Sequence, residues 1–224
     1  MQSTFQMSIN MKEQEIKDTL SDIRNMMERS QKVVFLDGTA GILAGIWAII
    51  GAIAVSLVIY GTVTPLWMTS VQPVADASAH TFIILSVICV AVFCAAFLSV
   101  WNMSRRRAIK QGMEFVLDAG SRNLLKTFFS VMVVGGLACL TPIANGLWSL
   151  IPGFMLLFYG LALVVISPIA FKIPITSLLG YIMIAIGIAA LCLPTYGLCL
   201  WTIGFGLVHL LWGIWFSLRY NRKG

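Results

Sequence analysis

Apolar runs of about 18 to 25 residues, the length that crosses a hydrocarbon layer as helix, leave this 224-residue chain few folds to choose from. Six such runs are read, at about 38–60, 80–103, 124–141, 149–167, 175–193 and 198–218. Hydrophobic residues make up 59% of the chain and charged residues 11%, against roughly 25% charged in soluble domains. So few charges cannot coat a water-facing surface. The expected fold is an all-α membrane protein, a bundle of six transmembrane helices. Pro168, Pro174 and Pro194 are read as boundaries, stopping the fourth span and starting and stopping the fifth.

The distribution of charge sets the orientation. The net charge is +6, and the 15 Lys and Arg residues fall at 12–32, 105–126, 172 and 219–223. The segments 61–79, 142–148 and 194–197 contain none. By the positive-inside rule both termini face the cytoplasm, and the expected localisation is a cytoplasmic (inner) membrane, which the chain crosses several times. Trp67, Trp101, Trp148 and Trp201 fall near the interfaces, where amphipathic rings sit. Topology accounts for the basic excess, so nucleic acid is not a partner. The densest run, Arg105, Arg106 and Arg107, reads as a topology determinant, or else as a site for anionic headgroups.

Residues 1–32 are polar and carry no cleavable signal pattern. Asn10 and Glu13 resemble a capping box that opens an amphipathic helix over 10–30. Ile16, Leu20, Ile23 and Met27 then follow one helical face. Residues 12–32 carry five basic and five acidic side chains. Lipid-seeking helices are usually rich in Lys and Arg, so this face is expected to dock on protein. The partner would be another copy or a cytoplasmic protein, engaged through residues 10–32.

A shift of 51 residues lays the third and fourth spans on the fifth and sixth without a gap. Gly136, Gly146 and Gly153 then fall on Gly187, Gly197 and Gly204. Gly51 and Gly61 repeat the ten-residue interval in the first hairpin. The bundle is therefore expected to consist of repeated helical hairpins, parallel in the membrane.

Polar groups within the spans are few. His209 is the one ionisable side chain near a span centre, read as an interhelical hydrogen-bonding group or as a site for a proton or ligand. Asp37 is read as the N-cap of the first span, close in level to Arg105, Arg106, Arg107 and Lys126 for an ion pair. Gly41, Gly45, Ala48 and Ala52 step along one face of that span and allow close helix packing. The five cysteines form no CxxC pair and read as packing side chains, although Cys192 and Cys199 flank a tight turn. Ser149 and His209 lie on the order of 15 Å apart in depth, which excludes a Ser/His dyad. No paired carboxylates, HExxH or phosphate loop is present. Neither catalysis, a metal nor a cofactor is expected.

The stretch DIRNMMERSQKVVFLDGTAGILAGIWAIIGA, Asp22 to Ala52, resembles the opening of uncharacterised bacterial six-span membrane proteins with a charged N-terminal helix. That resemblance implies no activity. SLLGYIMIAIGIAALCLP, with Gly180, Gly187 and Pro194 seven apart, is similar to hairpins of small six-span membrane proteins of the acid-resistance type. The function expected is a non-enzymatic module for partner binding, sensing or envelope maintenance. The alternative is a small channel or transporter with its pathway near His209.

Overall fold

The computed structural model describes residues 14–21, 38–63, 78–110, 119–170 and 175–220. The chain divides into two compact units, Met1–Val33 and Val34–Gly224. In the first, residues 14–21 form helix α1.

The second unit is helical throughout its described elements. Its helices are α2 (Gly38–Tyr60), α3 (Ala79–Lys110), α4 (Ala119–Ala144), α5 (Ile151–Ala170) and α6 (Ile175–Cys192). The last helix has three consecutive parts: α7 (Gly197–Trp201), a π-helical segment (Thr202–Val208) and α8 (His209–Tyr220). Short 3-10 turns at Trp148–Leu150 and Pro194–Tyr196 lead into α5 and α7.

Five stretches are long and apolar enough to cross a membrane: Gly38–Tyr60, His80–Arg106, Arg122–Ala144, Trp148–Ser167 and Pro194–Arg219. Thr176–Cys192 is apolar but shorter. The chain therefore has the makings of a multi-pass membrane protein. Ile83, Val87 and Val90 on α3, and Val133, Leu137 and Leu140 on α4, are all exposed. Such a surface suits hydrocarbon rather than water, because lipid tails are as apolar as the side chains they meet.

The tightest core lies between α5 and α6, where Leu156 and Met183 are fully buried. Glycine makes that approach possible. A Cβ on Gly160 would stand 2.7 Å from the Gly180 carbonyl oxygen, and one on Gly187 would stand 3.1 Å from that of Gly153. Gly153 and Gly160 are seven apart on α5, as Gly180 and Gly187 are on α6, so the two antiparallel helices meet glycine to glycine over two turns.

Helices α2 and α4 are each followed by a left-handed glycine. Gly61 has φ 69° and its N–H donates to the Leu57 carbonyl, closing α2. Gly146 has φ 70°; its N–H donates to Ile143, and the Leu147 N–H donates to Pro142 at 2.8 Å. This pairing satisfies carbonyls that a helix end leaves without partners. Gly197, by contrast, has φ −53° and opens α7 behind the Pro194 turn.

Several helix ends differ from expectation; α4 begins at Ala119 rather than about 124 and runs through Pro142 to Ala144. α5 continues past Pro168 to Ala170, so this proline does not stop the helix. Proline lacks an N–H, so the bond it costs is the one to the Val164 carbonyl, and α5 runs only two residues beyond it. α3 continues beyond residue 103 to Lys110 and carries the basic run as helix. Arginine and lysine are good helix formers, and the run contains neither glycine nor proline to end it.

Candidate functional site

The polar centre of the second unit is the pair Tyr159 and His209. Tyr159 lies midway along α5, and His209 opens α8 directly after the π segment. His209 is 4% exposed. Its Nδ1 lies 3.0 Å from the Gly204 carbonyl oxygen, and its Nε2 lies 2.9 Å from the Tyr159 hydroxyl. A carbonyl can only accept, so Nδ1 carries a hydrogen and donates to Gly204. In the neutral ring Nε2 is then an acceptor, and the Tyr159 hydroxyl donates to it. The geometry thus selects one tautomer.

Aromatic rings enclose this pair. Phe205 lies 4.9 Å from the Tyr159 ring and 5.8 Å from that of His209, centroid to centroid. Phe128 meets Tyr159 edge-on at 6.0 Å, and Trp201 lies 5.1 Å from Phe205. The Trp201 Nε1 is buried without an acceptor. Farther along α8, Trp212 and Trp215 pair with one another, with the Arg219 guanidinium over the Trp215 ring.

The π segment has a local role in the site. A π turn is wider than an α turn and is found mostly at functional or strained positions. Here the His209 side chain takes the Gly204 carbonyl, and the Thr202 hydroxyl donates to Leu198 at 2.8 Å. Side chains thus serve two carbonyls of the last helix.

The glycine face of α2 packs on this same helix. A Cβ on Gly45 would stand 2.8 Å from the Gly206 carbonyl oxygen and 2.9 Å from the Leu210 nitrogen. One on Gly41 would stand 3.0 Å from the Gly213 Cα and 3.1 Å from the His209 carbonyl oxygen. Ala48 and Ala52 are buried. The stripe therefore faces α8 and the π segment within one chain. On its other flank α2 meets α3, where the Trp47 Nε1 donates to the Ser99 hydroxyl at 3.1 Å.

The remaining expected residues do not converge on one site. Ile16 and Leu20 lie exposed on α1, while Ile23 and Met27 fall outside the described residues. Asp37 also lies outside them, so its reading as a cap remains a sequence expectation. Arg105 and Arg106 are exposed on α3, Lys126 is exposed on α4, and Arg107 belongs to the α3 backbone. Cys192 and Cys199 are free thiols, as are Cys89, Cys94 and Cys139. Ser149 lies beside Gly197, twelve residues before His209 in the last helix. Among the described residues no three His, Cys, Asp or Glu side chains gather as a metal site.

Sequence reasoning found His209 but not Tyr159, fifty residues away on another helix. It also missed the glycines that receive α2. The seven-residue interval from Gly206 to Gly213, matching the step of a helical face, was the available signal. Comparison with known protein families, curated proteins and solved structures found no match.

Chemically, the Tyr159–His209 pair is a satisfied polar clasp. Both ring nitrogens are engaged within the bundle, and the hydroxyl spends its proton on the imidazole. No nucleophile or carboxylate accompanies them among the contacts described.

Proposed function

We propose that this chain is a six-span protein of a bacterial cytoplasmic membrane that works as a non-enzymatic partner-binding module through its N-terminal helix. The observation that supports this reading is the exposure of Ile16 and Leu20, each 59% open. They lie four apart, so they share one face of α1. Burying apolar surface is favourable by roughly 25 cal/mol per Å², and a stripe kept open on a helix gains by meeting a partner. The balanced charge of residues 12–32 offers little to anionic lipid. The partner is therefore protein, either a second copy or a cytoplasmic protein.

In this reading α6 is a span as well, the fifth along the chain, and brings the total to six. Its 18 residues reach about 27 Å, close to the roughly 30 Å hydrocarbon layer. Both termini then face the cytoplasm, and the left-handed glycines Gly61 and Gly146 stand at matching outer turns of two repeated hairpins. A channel or transporter role draws no support from His209, whose nitrogens are occupied inside the bundle.

Crosslinking and affinity isolation of the full chain test the proposal. Ile16→Asp together with Leu20→Asp should abolish both the crosslinked species and the co-isolated partner, while leaving insertion unchanged. Undiminished crosslinking and recovery would reject the arm as the binding element, as would the same result after deletion of residues 1–32.

A further inference from the structure

α3 packs on α2 and α4 packs on α5, and aromatic rings bridge the space between α3 and α4. Phe129 on α4 meets Phe93 and Phe97 on α3 edge-on, at 6.4 and 6.0 Å. Phe97 stacks in turn on Trp101 at 6.0 Å. Phe93 is 45% exposed, and Phe97, Trp101 and Phe129 are partly so. The seam is therefore apolar and open on its outer side.

Its basic end is marked by charge. Phe93, Phe97, Trp101 and Arg105 step by four along α3, so one stripe runs from rings to a guanidinium. On α4, Phe129, Lys126 and Arg122 lie three and seven residues apart, again on one face. Arg105, Arg106, Arg122 and Lys126 are all exposed, and no ion pair engages them among the described residues. Neither Ala79–Lys110 nor Ala119–Ala144 contains an acidic residue. The twelve residues from Phe93 to Arg105 span about 18 Å of helix. One leaflet of hydrocarbon is about 15 Å deep, half the usual core.

We propose that the α3/α4 seam binds an anionic phospholipid, with its phosphate at Arg105, Arg122 and Lys126 and an acyl chain along Phe93, Phe97, Trp101 and Phe129. The proposal rests on the chain's being embedded in a membrane and is independent of the arm. A basic cluster serving topology alone needs no aromatic track leading from it. A second copy laid on the seam would bring its own four cations against these, which like-charge repulsion opposes.

The test uses the full-length protein in phosphatidylcholine vesicles, with brominated phosphatidylglycerol or brominated phosphatidylcholine added at equal mole fraction. Trp101 quenching is isolated by subtracting the Trp101→Phe signal. Trp148, which meets Phe82 at the far end of the same helix pair, provides the control through Trp148→Phe. Brominated phosphatidylglycerol should quench Trp101 with a preference of at least about fivefold, what one well-placed cation contributes, and should show no preference at Trp148. Joint replacement by Arg105→Gln, Arg122→Gln and Lys126→Gln should remove the preference, whereas Arg105→Lys with Arg122→Lys should keep it. Equal quenching of Trp101 by both lipids would overturn the proposal, and so would a preference that survives the glutamine set. Absence of quenching by either lipid, together with crosslinks between copies through α4, would place a second copy on the seam and overturn it too.

Discussion

The Tyr159 hydroxyl lies 2.9 Å from the His209 Nε2 and ties α5 to the last helix. Because Nδ1 is committed to the Gly204 carbonyl at 3.0 Å, the imidazole faces Tyr159 as an acceptor with one donor available. The clasp closes a polar pair inside an apolar bundle, where leaving either partner alone costs more than the bond itself contributes.

Tyr159→Phe removes that donor and leaves Nε2 without a partner. The expected loss is about 0.5–2 kcal/mol, bracketing hydrogen bonds between membrane helices. His209→Ala should cost more, because it also vacates buried volume beside Phe205 and frees the Gly204 carbonyl. Unfolding of purified protein in mixed micelles, followed by far-ultraviolet circular dichroism, measures both. Equal stability of Tyr159→Phe and the parent would contradict the clasp.

Gly45 and Gly136 should respond in opposite directions. A Cβ on Gly45 would press on the Gly206 carbonyl and the Leu210 backbone, whereas one on Gly136 would meet nothing within 4 Å. Gly45→Val should therefore destabilise by about 1–3 kcal/mol through overpacking. Gly136→Ala should stabilise by up to about 1 kcal/mol, the helix propensity that glycine forgoes. The same unfolding titration checks the contrast.

Gly146→Ala tests the cap between α4 and α5. There is open space around Gly146, so sterics with neighbours play no part; the strain comes from φ 70° alone. The left-handed conformation costs a side-chain-bearing residue about 1–2 kcal/mol, and the variant should lose that much. Gly197→Ala has a different cause of strain, since its φ is −53° and its Cβ would press on the Ser149 carbonyl at 2.9 Å.

All five thiols should titrate without reduction. Cys192 and Cys199 are separated by the Pro194 turn yet remain free. Denatured protein should take up five equivalents of maleimide whether or not a reductant was added first. Uptake of three would show a disulfide that the structure does not contain.

Much of the helical framework was legible because hydropathy is a local property. The apolar run at 38–60 is α2, Gly38–Tyr60, residue for residue. The ends of α3 and α5 were less legible. Arg105 to Lys110 carry charge but also favour helix, so loss of hydropathy there did not mean loss of structure. Pro168 reads as a stop in sequence, and the helix outlasts it by two residues. The small residues of α2 announced a close approach without naming the helix that makes it. Gly206 and Gly213 supply that partner from more than 160 residues away. Tyr159 was hidden for the same reason. A tyrosine within an apolar run looks like packing until the fold places His209 beside it.

The π segment at Thr202–Val208 sets the angle at which everything after it faces its neighbours. An α-helix advances about 100° per residue and the wider π turn already holds its extra residue, so inserting one more there would swing Gly213 off α2 and carry His209 past Tyr159 in the same movement. Two contacts made with different helices thus share a single rotational phase. Substitutions along the last helix test those contacts one at a time, whereas a change of length at Thr202–Val208 dials both at once.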